Sequence, residues 1–468
     1  MRPAHPVEQA VGMDVYVSET DGTGGYLRER EEDFRVREIE RFEAEPETAN
    51  PDAYPHVCFR ATLRGWDTNE FAGALSNALG ISRERISWAG TKDKRAVTTQ
   101  LFTVRGIDPE AIPTLSGTDV EVLGRTGRAI EFGDLAGNAF DVVIRDPEAP
   151  ERVDPIRREL AAFATGNDPP GGERTAESGA DDDTETTLIA VPNYFGQQRF
   201  GSYRPITHEV GLAIVRDDWE GAVMAYLGKP HPTEPESTQE ARRVVEETRD
   251  WTAALERFSG GLRYERSLLH ELAEADGEPT ESTFRDALDR FPRNLQRMLV
   301  HAAQSFLFNR ILSERLQRDV SIHRPVAGDV VCFTDRGVRD SKSHPASLSL
   351  PDVDRTQRVT ERRVDAVARH CERGRAFVTL PLVGTDTELA DGEPGEIERA
   401  VLAEHDISPA DFDLPEPYGS TGTRRAALCR TDLSIATEPL TLSFSLPKGS
   451  YATVVAREFL KTDPTAMG

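Results

Sequence analysis

Residues 89–100 read AGTKDKRAVTTQ, and the rest of the chain can be organised around the aspartate in their middle. Asp93 stands between Lys92 and Lys94, with Arg95 next. The chain holds only six lysines, so two of them flank one carboxylate. Positive neighbours favour the ionised form of a carboxylate. An anionic carboxylate can serve as nucleophile or general base while cations beside it hold a phosphate backbone. A solvated charged turn without chemistry would carry the same pattern, and charge alone leaves both possibilities open.

The flanks place this stretch on a loop. Ile86–Trp88 before it and residues 100–104 after it have strand-like composition, and loops held by rigid neighbours are common seats of catalytic groups. Upstream, residues 56–63 read as a strand. A helix follows from Thr68, with Phe71, Ala74, Leu75, Ala78 and Leu79 at helical spacing, Asp67 or Thr68 as cap and Gly80 as stop. In residues 22–38 a glycine-rich turn runs into a segment where Phe34 and Val36 alternate with Arg35 and Arg37. Further strands are expected at 119–123 and 139–144, the second with Phe140, Val142 and Ile144 on one face.

Residues 166–187 contain Pro, Gly, Ser and acidic residues without an apolar anchor and read as a surface loop. Beyond residue 201 the pattern turns helical. Val244, Thr248, Trp251, Leu255 and Phe258 form one stripe, and Leu295, Leu299, Ala303, Phe306 and Ile311 another, both core-facing. Strands are expected at 330–334 and 376–380, with an acidic loop over 384–398. A strand at 441–446 and a helix at 450–460 close the chain.

Composition bounds the setting. At 468 residues the chain can build at least two cores. Its 81 acidic residues exceed 56 basic ones for a net charge of −25, and the six lysines leave 50 arginines. That balance suits solubility in a salt-rich cytoplasm, and it does not exclude RNA if basic groups gather on one face. Cys58, Cys332, Cys371 and Cys429 have no metal-ligand spacing and read as reduced thiols. With no signal-peptide core and no apolar run of about 18 residues, a soluble cytoplasmic protein without membrane contact is expected.

Five separated motifs resemble the TruD family of tRNA pseudouridine synthases. They are EEDFRVRE (31–38), AGTKDKRAVTTQ (89–100), GNAF (137–140), PNYFGQQRFG (192–201) and FSLPKGSYATVVAREF (444–459), in the family's order over nearly the whole length. The resemblance implies an α+β fold: a pseudouridine-synthase catalytic domain with a mixed or antiparallel sheet, interrupted by a large inserted α/β TRUD domain of archaeal type. The implied division is 1–202 and 419–468 for the catalytic domain and 203–418 for the insertion. The implied reaction converts uridine to pseudouridine in tRNA, usually at uridine-13, and needs no cofactor, metal or nucleotide. A monomer is expected.

The resemblance makes Asp93 the catalytic residue and puts Lys92 near the carboxylate and the RNA backbone. Lys94 joins it as a supporting cation. Asn138 is the implied partner that positions the aspartate, and Phe140 the aromatic that stacks on the extruded base. Arg28 and Phe34 are the implied basic and aromatic neighbours. Each has a plainer alternative: Phe140 shares a face with core residues, and Asn138 follows a glycine in what could be a turn. Tyr194 and Phe195 are read as packing residues, and no histidine is given a catalytic role. Two competing functions are an RNA-binding protein that keeps the scaffold without chemistry, and a glycosylase that releases uracil.

Overall fold

A computed structural model describes residues 1–166, 186–201, 203–275, 277–335, 348 and 350–467. The expected loop at 166–187 therefore lies outside the described residues, apart from Gly166, Thr186 and Thr187.

In chain order, the first part comprises β1 (Arg2–Pro3), α1 (Pro6–Gln9), β2 (Val15–Tyr16), β3 (Phe34–Glu40), β4 (His56–Leu63), α2 (Thr68–Leu79), β5 (Ile86–Trp88), β6 (Val97–Arg105), β7 (Thr118–Thr126), β8 (Leu135–Val143), α3 (Val153–Thr165) and β9 (Thr186–Pro192). Seven helices follow: α4 (Thr207–Val215), α5 (Trp219–Leu227), α6 (Glu236–Thr248), α7 (Trp251–Arg257), α8 (Arg263–Ala273), α9 (Glu281–Leu288) and α10 (Arg293–Gln317). Then come β10 (Val330–Thr334), β11 (Pro351–Arg358), α11 (Val364–Glu372), β12 (Ala376–Leu382), α12 (Gly392–Glu404) and β13 (Thr423–Ala426). The chain ends with β14 (Leu428–Thr437), β15 (Leu440–Pro447) and α13 (Ala452–Leu460).

Nine strands form the main sheet, in the order β7-β4-β6-β3-β8-β15-β14-β9, with β5 paired to the outer half of β6. The β3–β6 pair is parallel and the other ladders are antiparallel, so the α+β fold with a mixed sheet holds. The chain leaves this sheet after Pro192 and builds a second, four-stranded sheet, β11-β10-β12-β13. The segment expected to return from residue 419 first adds β13 to that second sheet and rejoins the main one at Leu428.

Local chemistry explains most boundaries. Asp67 caps α2 by accepting from the N–H groups of Asn69 and Glu70, and Gly80 ends it in a left-handed turn (φ 64°). The stripe at 244–258 is two helices rather than one. Arg249 takes a left-handed conformation after α6, and Asp250 accepts from the Ala253 N–H at 2.9 Å to start α7. The capping carboxylate outcompetes continuation of the helix, which leaves Thr248 exposed while Trp251 and Phe258 are buried. Likewise, the expected loop at 384–398 includes the start of α12. Its Glu398 is buried, accepting from the Ala390 N–H and pairing with Arg424 at 3.2 Å. That acidic run suggested exposure because its neutralising partner is distant in sequence.

Residues paired across neighbouring strands share a face of the sheet. One face therefore carries Phe34, Val36 and Glu38 of β3, Asn138, Phe140 and Val142 of β8, Thr98 and Gln100 of β6, and Leu442, Phe444 and Leu446 of β15. On one side of this face α2 packs Phe71, Ala72 and Leu75 against Phe59, Ala61, Leu63 and Phe102. On the other, α3 and α13 join the larger core with Phe34, Phe140, Val142 and Phe444. The loop 89–96 lies over this face, where Lys92 meets Glu38 of β3 and Thr68 of α2.

Candidate active site

The two ends of the loop are fixed by its flanking strands, and its middle by Thr68. The Thr68 hydroxyl accepts from the Lys92 N–H at 2.7 Å and meets the Gln100 side chain at 3.2 Å. Thr68 N–H donates back to the Lys92 carbonyl at 3.4 Å. The Lys92 ammonium turns down onto the sheet and pairs with Glu38 at 2.6 Å, both groups almost fully enclosed. The second oxygen of Glu38 accepts from the Leu101 N–H at 3.1 Å. Burial raises the pKa of Glu38 above the usual carboxylate value, and the Lys92 charge opposes that rise.

Asp93 points the other way. Its Oδ1 accepts from the Arg95 N–H at 3.1 Å, an Asx-type turn, and its Oδ2 faces the Arg28 guanidinium at 3.4 Å. The Asp93 side chain is 51% exposed and that of Arg28 only 12%. Arg28 lies 4.2 Å above the Phe34 ring, and its backbone adopts φ 58°, a conformation that non-glycine residues rarely take. Burial lowers the Arg28 pKa and the Asp93 charge raises it; an arginine stays cationic throughout.

Phe34 meets Phe140 edge-on with centroids 6.2 Å apart, and Phe140 lies 5.5 Å from Phe444. Phe140 is buried in the core behind Phe34. Asn138, directly opposite Glu38 in the β3–β8 ladder, is half-buried. Its amide oxygen is enclosed and accepts no hydrogen bond, and Arg28 Nε is likewise enclosed without a partner. Such groups are uncommon in folded proteins and mark places where a ligand could complete the bonding.

The structure thus gathers Asp93, Arg28, Phe34 and Phe140 at one place, with Lys92 and Asn138 beside them. The flanking lysines do not contact the Asp93 carboxylate. Lys92 is committed to Glu38, and Lys94 is exposed, 3.9 Å from Glu70. The cation on Asp93 is Arg28, from 65 residues earlier. Sequence reasoning missed Glu38, Thr68 and Gln100. A signal existed for Glu38, which continues the inward positions Phe34 and Val36 and so had to be a buried acid with a partner. Tyr194 and Phe195 are buried, as packing residues should be, and all four cysteines are buried free thiols.

Residues 10–459 match the family model for tRNA pseudouridine synthase D (TruD). The chain is similar to proteins named "Probable tRNA pseudouridine synthase D" from Halobacterium salinarum, 56% identical over 467 residues, and Natronomonas pharaonis, 58% identical over 469, with all of both chains covered in each case. It also superposes on the crystal structure of a TruD chain from Methanosarcina mazei with TM-score 0.80 and 36% identity, covering 100% of each chain.

Proposed function

The chain belongs to the TruD family of tRNA pseudouridine synthases, and from that premise we propose that it converts uridine-13 of tRNA to pseudouridine with Asp93 as the catalytic carboxylate. The reaction breaks the N1–C1′ bond, turns the uracil and forms a C5–C1′ bond. Attack on base or ribose, or removal of a proton, each requires an anionic carboxylate that is open to substrate yet held in place.

The observation that carries this reading is the Arg28–Asp93 pair. One carboxylate oxygen is tied to the loop, the other faces a cation anchored on Phe34, and half of the side chain remains open. Phe34 and Phe140 are buried, with the Arg28 guanidinium over the Phe34 ring, and they form the aromatic backing against which an extruded uracil would stack once that cover shifts. The enclosed, unpartnered amide oxygen of Asn138 is an acceptor that the uracil edge would satisfy. The pairing of Lys92 with Glu38 supports a positioning role for Lys92, through the backbone it shares with Asp93. The departure of the chain from the main sheet at Pro192 and its return at Leu428 support an inserted domain between two parts of one catalytic domain.

The test is incubation of the purified protein with unmodified tRNA, followed by nucleotide-resolution detection of pseudouridine. Modification confined to uridine-13 is the expected result. Release of free uracil would instead identify a glycosylase, and binding without either product an RNA-binding protein.

A further inference from the structure

Among the described residues Phe132 is the most exposed large hydrophobic side chain, at 77%. Single exposed apolar residues are ordinary, and three features set this one apart. The turn that carries it is rigid: Asp134 Oδ2 accepts from the Glu131 N–H at 2.8 Å and pairs with Arg128 at 2.5 Å, while Asp134 N–H donates to the Glu131 carbonyl. The turn is also tied to both borders of the candidate site. Gly133 N–H donates to the Ala89 carbonyl at 2.7 Å, at the start of the loop that carries Asp93. The Gly133 carbonyl accepts from the Lys448 ammonium at 3.1 Å, in the turn after the strand paired with Asn138. Finally, Lys448 is exposed and keeps two further N–H donors at the turn that carries the ring.

We infer that Phe132 is a stacking platform for a base of the RNA substrate adjacent to the target uridine, with Lys448 holding the neighbouring phosphate. The inference rests on the proposed function. A fixed turn presents the ring without the entropy loss of ordering a mobile aromatic. An exposed aromatic on a turn that also holds a lysine combines the stacking surface and the cation that bind single-stranded nucleotides with little sequence preference. Extruding a uridine leaves its neighbours unstacked, and a ring at the rim of the site replaces the lost stacking.

The test compares Phe132→Ala, Phe132→Leu and Phe132→Trp with the parent by titration against unmodified tRNA at fixed salt, with thermal unfolding and single-turnover modification in parallel. Phe132→Ala and Phe132→Leu are expected to weaken binding about 5- to 150-fold with unchanged unfolding midpoints, and Phe132→Trp to bind like the parent. Parental affinity in Phe132→Leu would overturn the stacking role, because an apolar but non-aromatic side chain would then suffice. Parental affinity in Phe132→Ala would overturn any RNA contact at this ring. A parent dimer that dissociates in Phe132→Ala, seen by light scattering, would assign the ring to a second copy of the chain instead. A parent that modifies tRNA normally beside an unaffected Phe132→Ala sinks this inference alone, whereas a parent that makes no pseudouridine sinks the function beneath it.

Discussion

Arg28 Nη1 lies 3.4 Å from Asp93 Oδ2, joining two residues 65 positions apart across the surface of the Phe34 ring. The arginine is nearly enclosed and the aspartate half open, so one partner is a fixed part of the site and the other faces substrate. An ion pair with one partner half open to water and screened by it contributes little to stability, about 0–1 kcal/mol. Its consequence is orientation.

Arg28→Met keeps the aliphatic stem over Phe34 and removes the charge. Unfolding free energy is expected to change by less than about 1 kcal/mol. The single-turnover rate should fall about 100-fold, the scale for losing one preorganised electrostatic contact. Rate and denaturation measurements on the same preparation check this; a parental rate would show that Asp93 needs no cation at this position.

Glu38 and Lys92 form an enclosed pair beneath the loop. Glu38→Gln leaves the ammonium enclosed without its counter-charge, and Lys92→Met does the same to the carboxylate. Each single variant should lose about 3–5 kcal/mol. The double variant should lose much less than the sum, because neither charge is then stranded. Additive losses in a double-mutant cycle would mean that the two groups act independently.

Phe140 is a core residue packed on Phe34 and Phe444, next to the candidate site. Phe140→Ala opens a cavity beside Phe34 and Phe444 and should cost about 3–5 kcal/mol. Phe140→Leu retains most of the volume, at a cost of less than about 1.5 kcal/mol. If the ring supports the uracil, Phe140→Leu should slow modification while unfolding stays near parental. An unchanged rate would confine Phe140 to packing.

The buried rings of His208 and His323 make stability depend on pH. His208 stacks on Phe306 at 4.7 Å, and His323 meets Phe163 at 4.5 Å. Burial depresses each pKa to about 4, against 6.5 when free. The unfolded chain takes up these protons as pH falls through 6.5, while the folded protein refuses them until about 4. The stabilisation is therefore complete above 6.5 and lost on acidification, up to about 3 kcal/mol per ring. His208→Phe should flatten the decline between pH 6.5 and 4 in denaturant titrations; an unaltered slope would contradict the assignment to His208.

Much of this was legible from local pattern. The alternation of Phe34 and Val36, the cap and stop of the helix at 68–79, and the strands around residues 86–104 all reflect chemistry within a few positions. The break at Arg249 and Asp250 was also local, but a continuous apolar stripe obscured it. Partners were not legible. The flanking lysines suggested the cations for Asp93, whereas successive side chains on an extended loop point in different directions, and the contact falls to Arg28. The place of Glu398 in α12, like the burial of Glu38, depends on a cation supplied from a distant segment.

The most direct test is Asp93→Asn. The amide can still accept from the Arg95 N–H, so the loop should keep its shape, with stability altered by no more than about 0.5 kcal/mol. It can neither attack carbon nor take up a proton at neutral pH. Asp119→Asn, at an exposed pair with Arg64 on a strand edge, serves as control and should behave like the parent. The predicted result is no detectable pseudouridine in unmodified tRNA with tRNA affinity retained. Parental turnover by Asp93→Asn protein, with deamidation excluded by mass spectrometry, would contradict the assignment of catalysis to Asp93.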